Sequence, residues 1–310
     1  MLLKAAVAPV PGEHGGDGDR LAATLGIDPS LVLDLSLSLN PLAPDVVTLA
    51  RRRLDALCRY PDPRLATACL AQAIGAEPER VVLTNGGSEA IALVAAELKE
   101  GWVEAPDFSL YERHLAAVRL GAGRWCSNPC NPTGELAPPH ATAAVWDEAF
   151  WPLATGTWTR GDAQAVVVGS LTKTFGCPGL RVGYVVCSDG GAAARLRAAQ
   201  PEWSVSALAC ALVPDLLGVV DLSGWAEGVA RLRADLVDVL ASHGFAPKAA
   251  AAPWVLVPAA DDLRERLAGH AILVRDCASF GLDATVRVAV PDERGLERLE
   301  AALSAGEPAR

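Results

Sequence analysis

From Val81 to Cys187 short β-branched runs alternate with helical or turn-forming stretches, and this alternation constrains the fold more than any other feature of the chain. Residues 81–84 (VVLT) read as a strand, a Gly86-Gly87 turn follows, and residues 88–99 (SEAIALVAAELK) carry a helical pattern. Residues 102–105 (WVEA) form a second short run ahead of an amphipathic helical stretch. Residues 143–147 (AAVWD), 165–170 (AVVVGS) and 182–187 (VGYVVC) are too short for helices and rich in Val, as buried strands are. Strands joined by helical crossovers lie parallel, so the pattern predicts an α/β domain with a mostly parallel sheet. Ligands of such sheets gather at the C-terminal strand ends.

The texture changes after residue 221. A long amphipathic helix over 224–244 precedes short strands at 254–257, 272–274 and 286–290, separated by charged helices, which predicts a small α+β domain. The first forty-odd residues contain little core-forming helix and are expected to lie against that lobe. The expected division is residues 1–45 as an N-terminal arm belonging to the small domain, 46–221 as the large domain and 222–310 as the C-terminal small domain. A chain of 310 residues is long enough for both lobes, and the site is expected between them.

Charge narrows the partners. A net charge of −10 and no basic run or face argue against nucleic acid or an anionic membrane, which leaves small molecules. The most apolar stretch, 206–222, is broken by Pro214 and Asp215, so a membrane helix is not expected. The N-terminus turns polar and Gly-rich too soon for a signal peptide. Eight cysteines, none in a CxxC pair, read as free thiols of a cytoplasmic protein, and the five dispersed histidines give a metal site little support.

Four segments carry chemistry. Thr84-Asn85-Gly86-Gly87-Ser88-Glu89 stands where a strand meets a helix, so a phosphate there would meet unpaired backbone N–H groups, the positive helix end and the Ser88 hydroxyl. Alone, such a stretch is more often just a turn and an N-cap. In residues 170–184 (SLTKTFGCPGLRVGY) a buried strand runs into Ser170, Thr172, Lys173 and Arg181. Desolvation there would lower the charge of Lys173 and make it a nucleophile towards an aldehyde, while the hydroxyls and Arg181 would suit a phosphate. Asp147 at a strand end suits a pyridinium N–H; Asn131, in residues 128–134 (NPCNPTG), suits a phenolic oxygen; Phe108 suits a ring face. Taken singly these three read equally as a cap, a turn residue and core.

Their order together resembles the fold-type I, aspartate-aminotransferase-like superfamily of pyridoxal 5′-phosphate enzymes, from about Asp34 to Val290. The resemblance implies an aspartate-aminotransferase-like large domain with a mostly parallel sheet plus a small α+β domain. It implies a Schiff-base Lys173, a ring partner Asp147, an Asn131 contact, and a phosphate held by Gly87, Ser88, Ser170, Thr172 and Arg181. It also implies a homodimer in which Tyr60 of residues 59–62 (RYPD) reaches the neighbour's cofactor phosphate. Within the superfamily the chain looks most like histidinol-phosphate aminotransferases and the threonine-phosphate decarboxylases of cobalamin biosynthesis. Residues 14–16 (HGG), 37–44 (LSLNPLAP) and 273–290 lean towards the decarboxylases. By that resemblance Arg275 and Arg287 bind substrate carboxylate or phosphate, with His14, Gly15 and Asn40 nearby as an N-terminal lid.

A substrate bearing both phosphate and carboxylate needs two cationic forks, which arginine supplies and lysine does not. The bond held perpendicular to the cofactor ring is the one that breaks: a perpendicular carboxylate leaves as CO₂, a perpendicular Cα–H gives transamination with Lys173 as the base. Two departures stand out. Phe150 occupies a position where histidinol-phosphate aminotransferases carry a tyrosine, and it donates no hydrogen bond. Only 23 positions separate Phe108 from Asn131 and 16 separate Asn131 from Asp147, so a strand and most of a crossover helix are expected to be missing. A decarboxylase of a phosphorylated hydroxy-amino acid such as L-threonine 3-phosphate is the leading expectation. An aminotransferase of the histidinol-phosphate type, a non-catalytic cofactor-binding homologue, and a phosphate-binding regulator are the alternatives.

Overall fold

A computed structural model describes residues 8–12 and 14–305. Within them twelve strands form two sheets: β1 (Leu33–Leu35), β2 (Val81–Thr84), β3 (Glu100–Val103), β4 (Ala117–Val118), β5 (Arg124–Ser127), β6 (Val145–Asp147), β7 (Val166–Ser170), β8 (Gly183–Val186), β9 (Lys248–Ala249), β10 (Trp254–Val257), β11 (Ile272–Asp276) and β12 (Val286–Ala289).

The larger sheet has the order β2-β8-β7-β6-β5-β3-β4, and only β8 runs antiparallel to its neighbours. β2, β6 and β8 are buried at every position, which is why their sequences read as unbroken apolar runs. Helices cover both faces. Helix Gly86–Leu98 packs Ala90, Ile91 and Val94 against Val82, Val168 and Val185 on one face. Helices Arg64–Ile74 and Ala207–Leu217 pack Leu70, Leu212 and Val213 against Leu83, Val167 and Tyr184 on the other.

The smaller sheet has the order β1-β11-β12-β10-β9, in which β1 joins parallel to β11. Helix Leu222–Ser242 spans 21 residues, capped by Asp221 accepting from the Gly224 N–H at 3.0 Å. Its buried side chains recur at helical spacing: Trp225 meets Phe175 in the core of the larger sheet, while Leu232, Leu236 and Leu240 enter the core of the smaller one. One helix thus ties the two cores. The N-terminal segment, expected to hold little core-forming helix, has one at Gly18–Leu25; it buries Leu21 and Ala22 and ends at the left-handed Gly26. No single described helix is long and apolar enough to cross a membrane.

The shortening falls in the connections and the outer strands. The amphipathic stretch after β3 yields only the five-residue helix Leu110–His114, β4 has two residues, and residues 128–144 between β5 and β6 contain neither helix nor strand.

Strand β8 presses on the first turn of helix Gly86–Leu98. A Cβ on Gly183 would lie 2.6 Å from the Gly86 carbonyl carbon and 2.7 Å from the Gly87 nitrogen, which are backbone atoms that cannot move aside cheaply. Gly183→Ala is therefore expected to lower the free energy of unfolding by about 1–3 kcal/mol, read by urea denaturation. An unchanged unfolding midpoint would show that the two segments are not locked together.

Candidate active site

The C-terminal ends of β2, β6 and β7 deliver their side chains to one cavity of about 210 Å³. Its wall includes His14, Gly87, Ser88, Phe108, Asn131, Asp147, Ser170, Thr172, Lys173, Arg181 and Arg287 from the sequence-derived set. Gly15, Asn40, Tyr60 and Arg275 stand outside that wall.

Lys173 belongs to the short helix Leu171–Thr174 that follows β7. Burial, reinforced by the cations Arg287 and Arg181, pushes its amine down from 10.5 to about 8, with Asp147 pulling weakly the other way. Its main chain is held by Asn40, whose N–H donates to the Lys173 carbonyl (3.0 Å) and whose Nδ2 donates to the Thr174 carbonyl (2.9 Å). Asn40 Oδ1 accepts from the Leu42 N–H at 2.9 Å, so this side chain braces the lysine turn instead of facing the cavity.

The loop at the end of β2 is shaped for an anion. Gly86 sits at φ +76°, and any side chain there would collide with the Arg181 guanidinium. Asn85 N–H donates to Glu89 Oε2 at 2.6 Å, which leaves the N–H groups of Gly87 and Ser88 at the helix start beside the cavity. Arg181 itself holds a left-handed backbone (φ 56°, ψ 60°) and donates to the Pro178 carbonyl at 3.2 Å. The Thr172 hydroxyl is 3.4 Å from the Val182 carbonyl, a weak contact that leaves it able to turn.

Asp147, at the end of β6, is buried, and burial raises its carboxyl above the usual carboxylate range. Two donors oppose that shift: the Ala149 N–H reaches Oδ1 at 3.0 Å and the Tyr111 hydroxyl reaches Oδ2 at 2.9 Å. Arg287 donates through Nη1 to Asn131 Oδ1 at 2.5 Å and stacks on Trp254 at 4.8 Å. A guanidinium only donates, so it fixes the amide with Oδ1 towards Arg287 and leaves the Asn131 NH₂ to donate elsewhere. Burial pushes Arg287 down to about 10. Phe108 makes edge contacts with His14 (5.7 Å) and Tyr111 (5.8 Å). Phe150 lies 5.7 Å from the Lys173 amine and edge-on to Trp254.

Of the residues outside the wall, Arg275 is buried directly across the β11–β12 pair from Arg287 and donates to the Gly12 carbonyl (2.9 Å) and Ser279 Oγ (3.1 Å). Gly15, at φ +76°, lies between Ser36 and Arg275. Tyr60 is 77% exposed and rests on Trp203 at 4.5 Å, away from the cavity of its own chain. Two polar residues of the cavity wall went unread in the sequence. Tyr111 stands three positions after Phe108, a helical spacing that brings both to one side. Ser127, at the end of the unread strand β5, accepts the Asn131 N–H at 2.8 Å and donates to Asp107, whose carboxyl burial lifts to about 7.

These groups fit pyridoxal phosphate: a buried amine of lowered basicity, a helix start whose glycine cradle a side chain would fill, an arginine beside it, and a buried carboxylate for a ring nitrogen. The sign of the lysine shift has a consequence for the cofactor-free protein. Below pH 8 Lys173 is charged in both folded and unfolded states and its burial is unfavourable; between 8 and 10.5 it is neutral only when folded; above 10.5 the difference vanishes. Lys173→Met is expected to stabilise cofactor-free protein by about 1–3 kcal/mol at pH 7. The gain should shrink as pH rises through that window, as urea denaturation at several pH values would read. A pH-independent difference would contradict the burial of a charge.

Comparison with known proteins agrees with this chemistry. Residues 125–303 match the family model for aminotransferase class I and II. The chain is 31% identical to a threonine-phosphate decarboxylase of Salmonella typhimurium over 94% of this chain and 95% of that protein. It is 27% identical to histidinol-phosphate aminotransferase 1 of Dechloromonas aromatica over 94% and 96%. The crystal structure of histidinol-phosphate aminotransferase from Sinorhizobium meliloti in complex with pyridoxal-5′-phosphate superposes with a TM-score of 0.80 at 18% identity, over 96% of this chain and 94% of that one. A family match across more than half of the chain, around a cavity built for this cofactor, places the protein in the aminotransferase class I and II family of fold-type I pyridoxal phosphate enzymes.

Proposed function

We propose that this chain decarboxylates a phosphorylated hydroxy-amino acid of the L-threonine 3-phosphate kind, releasing CO₂ and a phosphorylated amino-alcohol, as a step of cobalamin biosynthesis. The observation that carries the reading is the pair of buried arginines at facing positions of β11 and β12, with Arg287 in the cavity wall and Arg275 behind it. Arg287 offers its guanidinium to one anionic group of such a substrate, and Arg275, which donates to the Gly12 carbonyl and Ser279 Oγ, would reach the second only by exchanging those partners. The 31% identity to a threonine-phosphate decarboxylase supports the same choice.

In this reading Lys173 anchors pyridoxal phosphate, which supplies an electron sink for the pair left at Cα when a bond there breaks. Gly87, Ser88, Ser170, Thr172 and Arg181 hold the phosphate, Asn131 donates to the ring oxygen, Phe108 covers the ring, and Asp147 accepts from the ring nitrogen. His14 and Gly15, on the arm that Arg275 grips through the Gly12 carbonyl, close over the substrate. Asn40 serves the same site indirectly by holding the Lys173 turn. Arg287 would hold the substrate carboxylate, and the Lys173 amine would return a proton to Cα after CO₂ leaves. Phe150 offers no hydroxyl to the ring oxygen. Residues 1–45, 46–221 and 222–310 act as arm, large domain and small domain. Exposed Tyr60 meets the cofactor phosphate of a second copy in a homodimer.

The second reading, an aminotransferase of the histidinol-phosphate type, is supported by the 27% identity to a histidinol-phosphate aminotransferase over 94% of this chain. Protein loaded with cofactor is expected to release CO₂ from L-threonine 3-phosphate and to form no glutamate from histidinol phosphate and glutamate's keto acid partner. Glutamate formation would sink the decarboxylase reading. Failure of both substrates to react with protein that carries cofactor would favour a non-catalytic homologue. Arg287→Lys, which keeps the charge and loses the fork, is expected to lower kcat/KM for decarboxylation by about tenfold or more.

A further inference from the structure

We propose that Tyr111 is a positioning residue that keeps Asp147 ionised and aimed into the cavity through the hydrogen bond from its hydroxyl to Oδ2. The inference rests on the role proposed above for Asp147 as partner of the cofactor ring nitrogen.

Tyr111 is fully buried, and its hydroxyl sits 2.9 Å from Oδ2 while the Ala149 N–H holds Oδ1. A buried phenol needs a partner, and a buried carboxylate needs donors to remain charged; each meets the other's requirement. With one donor on each oxygen, Asp147 keeps lone pairs free for a third donor on the cavity side. Burial and the nearby carboxylates push the phenol well above its ordinary range, so it remains a neutral donor throughout the working pH. Its ring is clamped between Phe108 at 5.8 Å and Trp125 at 5.6 Å, so the hydroxyl has little freedom to leave. Phe108 and Tyr111 therefore act from the same turn, one facing the cofactor and the other holding the carboxylate that the cofactor meets.

Without the hydroxyl, desolvation of Asp147 is opposed only by Ala149 and by the charge of Lys173. The titratable groups around Asp147 are Lys173, Asp107, Glu148, Tyr184 and Tyr111, and a Tyr111→Phe exchange alters only the last of them. The exchange keeps the ring and its packing.

The test is a cycle of wild type, Tyr111→Phe, Asp147→Asn and the double variant, read by titration of cofactor-free protein with pyridoxal phosphate and by the pH dependence of that binding. Tyr111→Phe is expected to weaken binding by about tenfold, in line with loss of a hydrogen bond to a charged group, and to move the acid limb of the binding profile to higher pH. In the Asp147→Asn background it should weaken binding no further. Equal losses in both backgrounds, or an unchanged acid limb, would mean that Tyr111 only packs and would overturn the inference. If Asp147→Asn itself binds as the wild type does, the role of Asp147 fails as well; if only Tyr111→Phe is silent, that role stands and this inference falls.

Discussion

The burial of one amine at the end of β7 sets the terms for the rest of the structure. An amine from which water is excluded is the better nucleophile for being neutral, and burial of Lys173 disfavours its charged form. Two cations, Arg181 and Arg287, press in the same direction, and Asp147 alone opposes them. A site of this kind stays folded only if its supports are rigid, and the supports here are main-chain ones. Asn40 ties the lysine turn from the N-terminal segment, and β8 crosses so close to Gly86 and Gly87 that glycine is required at 183.

The charges around the cavity are arranged by what each group can donate or accept. Arg287 could bind any oxygen anion, but in the structure it is turned towards the Asn131 carbonyl oxygen, which leaves the amide NH₂ to donate elsewhere and keeps the guanidinium in the wall. Asn131 is itself held by Ser127, and Ser127 by Asp107, so a line of contacts runs from the loop after β3, through the C-terminal end of β5, to the arginine of the smaller sheet. The two sheets therefore meet at the site through polar groups, while helix Leu222–Ser242 joins them through apolar ones.

Much of this was legible in the sequence where local rules and chemistry coincide. Val-rich runs marked β2, β6, β7 and β8, and the groups singled out at their ends, the Gly87-Ser88 turn, Asp147 and Lys173, do line one cavity. Strand β5 escaped because Arg124-Trp125-Cys126-Ser127 has neither alternation nor a branched run; its strand state comes from parallel pairing with β3 and β6, a tertiary effect. Tyr111 escaped because its value lies in a contact with Asp147, 36 positions away. Asn40 was read as a substrate group from resemblance, whereas its hydrogen bonds all run to backbone. Tyr60 and Trp203 form an exposed aromatic pair whose role no single chain displays.

The shortened crossover between β5 and β6 is tolerated for a reason that involves the site directly. Successive residues on a strand point to opposite faces, so where Asp147 enters the cavity, Glu148 enters the face that a crossover helix would cover. There Glu148, buried, accepts the Arg160 N–H, and the Arg160 guanidinium lies 4.0 Å over the Trp146 ring and donates to the Pro139 carbonyl. Trp146 in turn donates to Asp162 at 2.9 Å, and Ala137, Ala141 and Ala143 of the connection pack on Cys126, Trp146 and Ala165. A loop rich in proline and alanine, stapled by one arginine, thus replaces a helix as the roof over β6. The same arginine grips the residue next to Asp147, because the Arg160 N–H donates to Glu148.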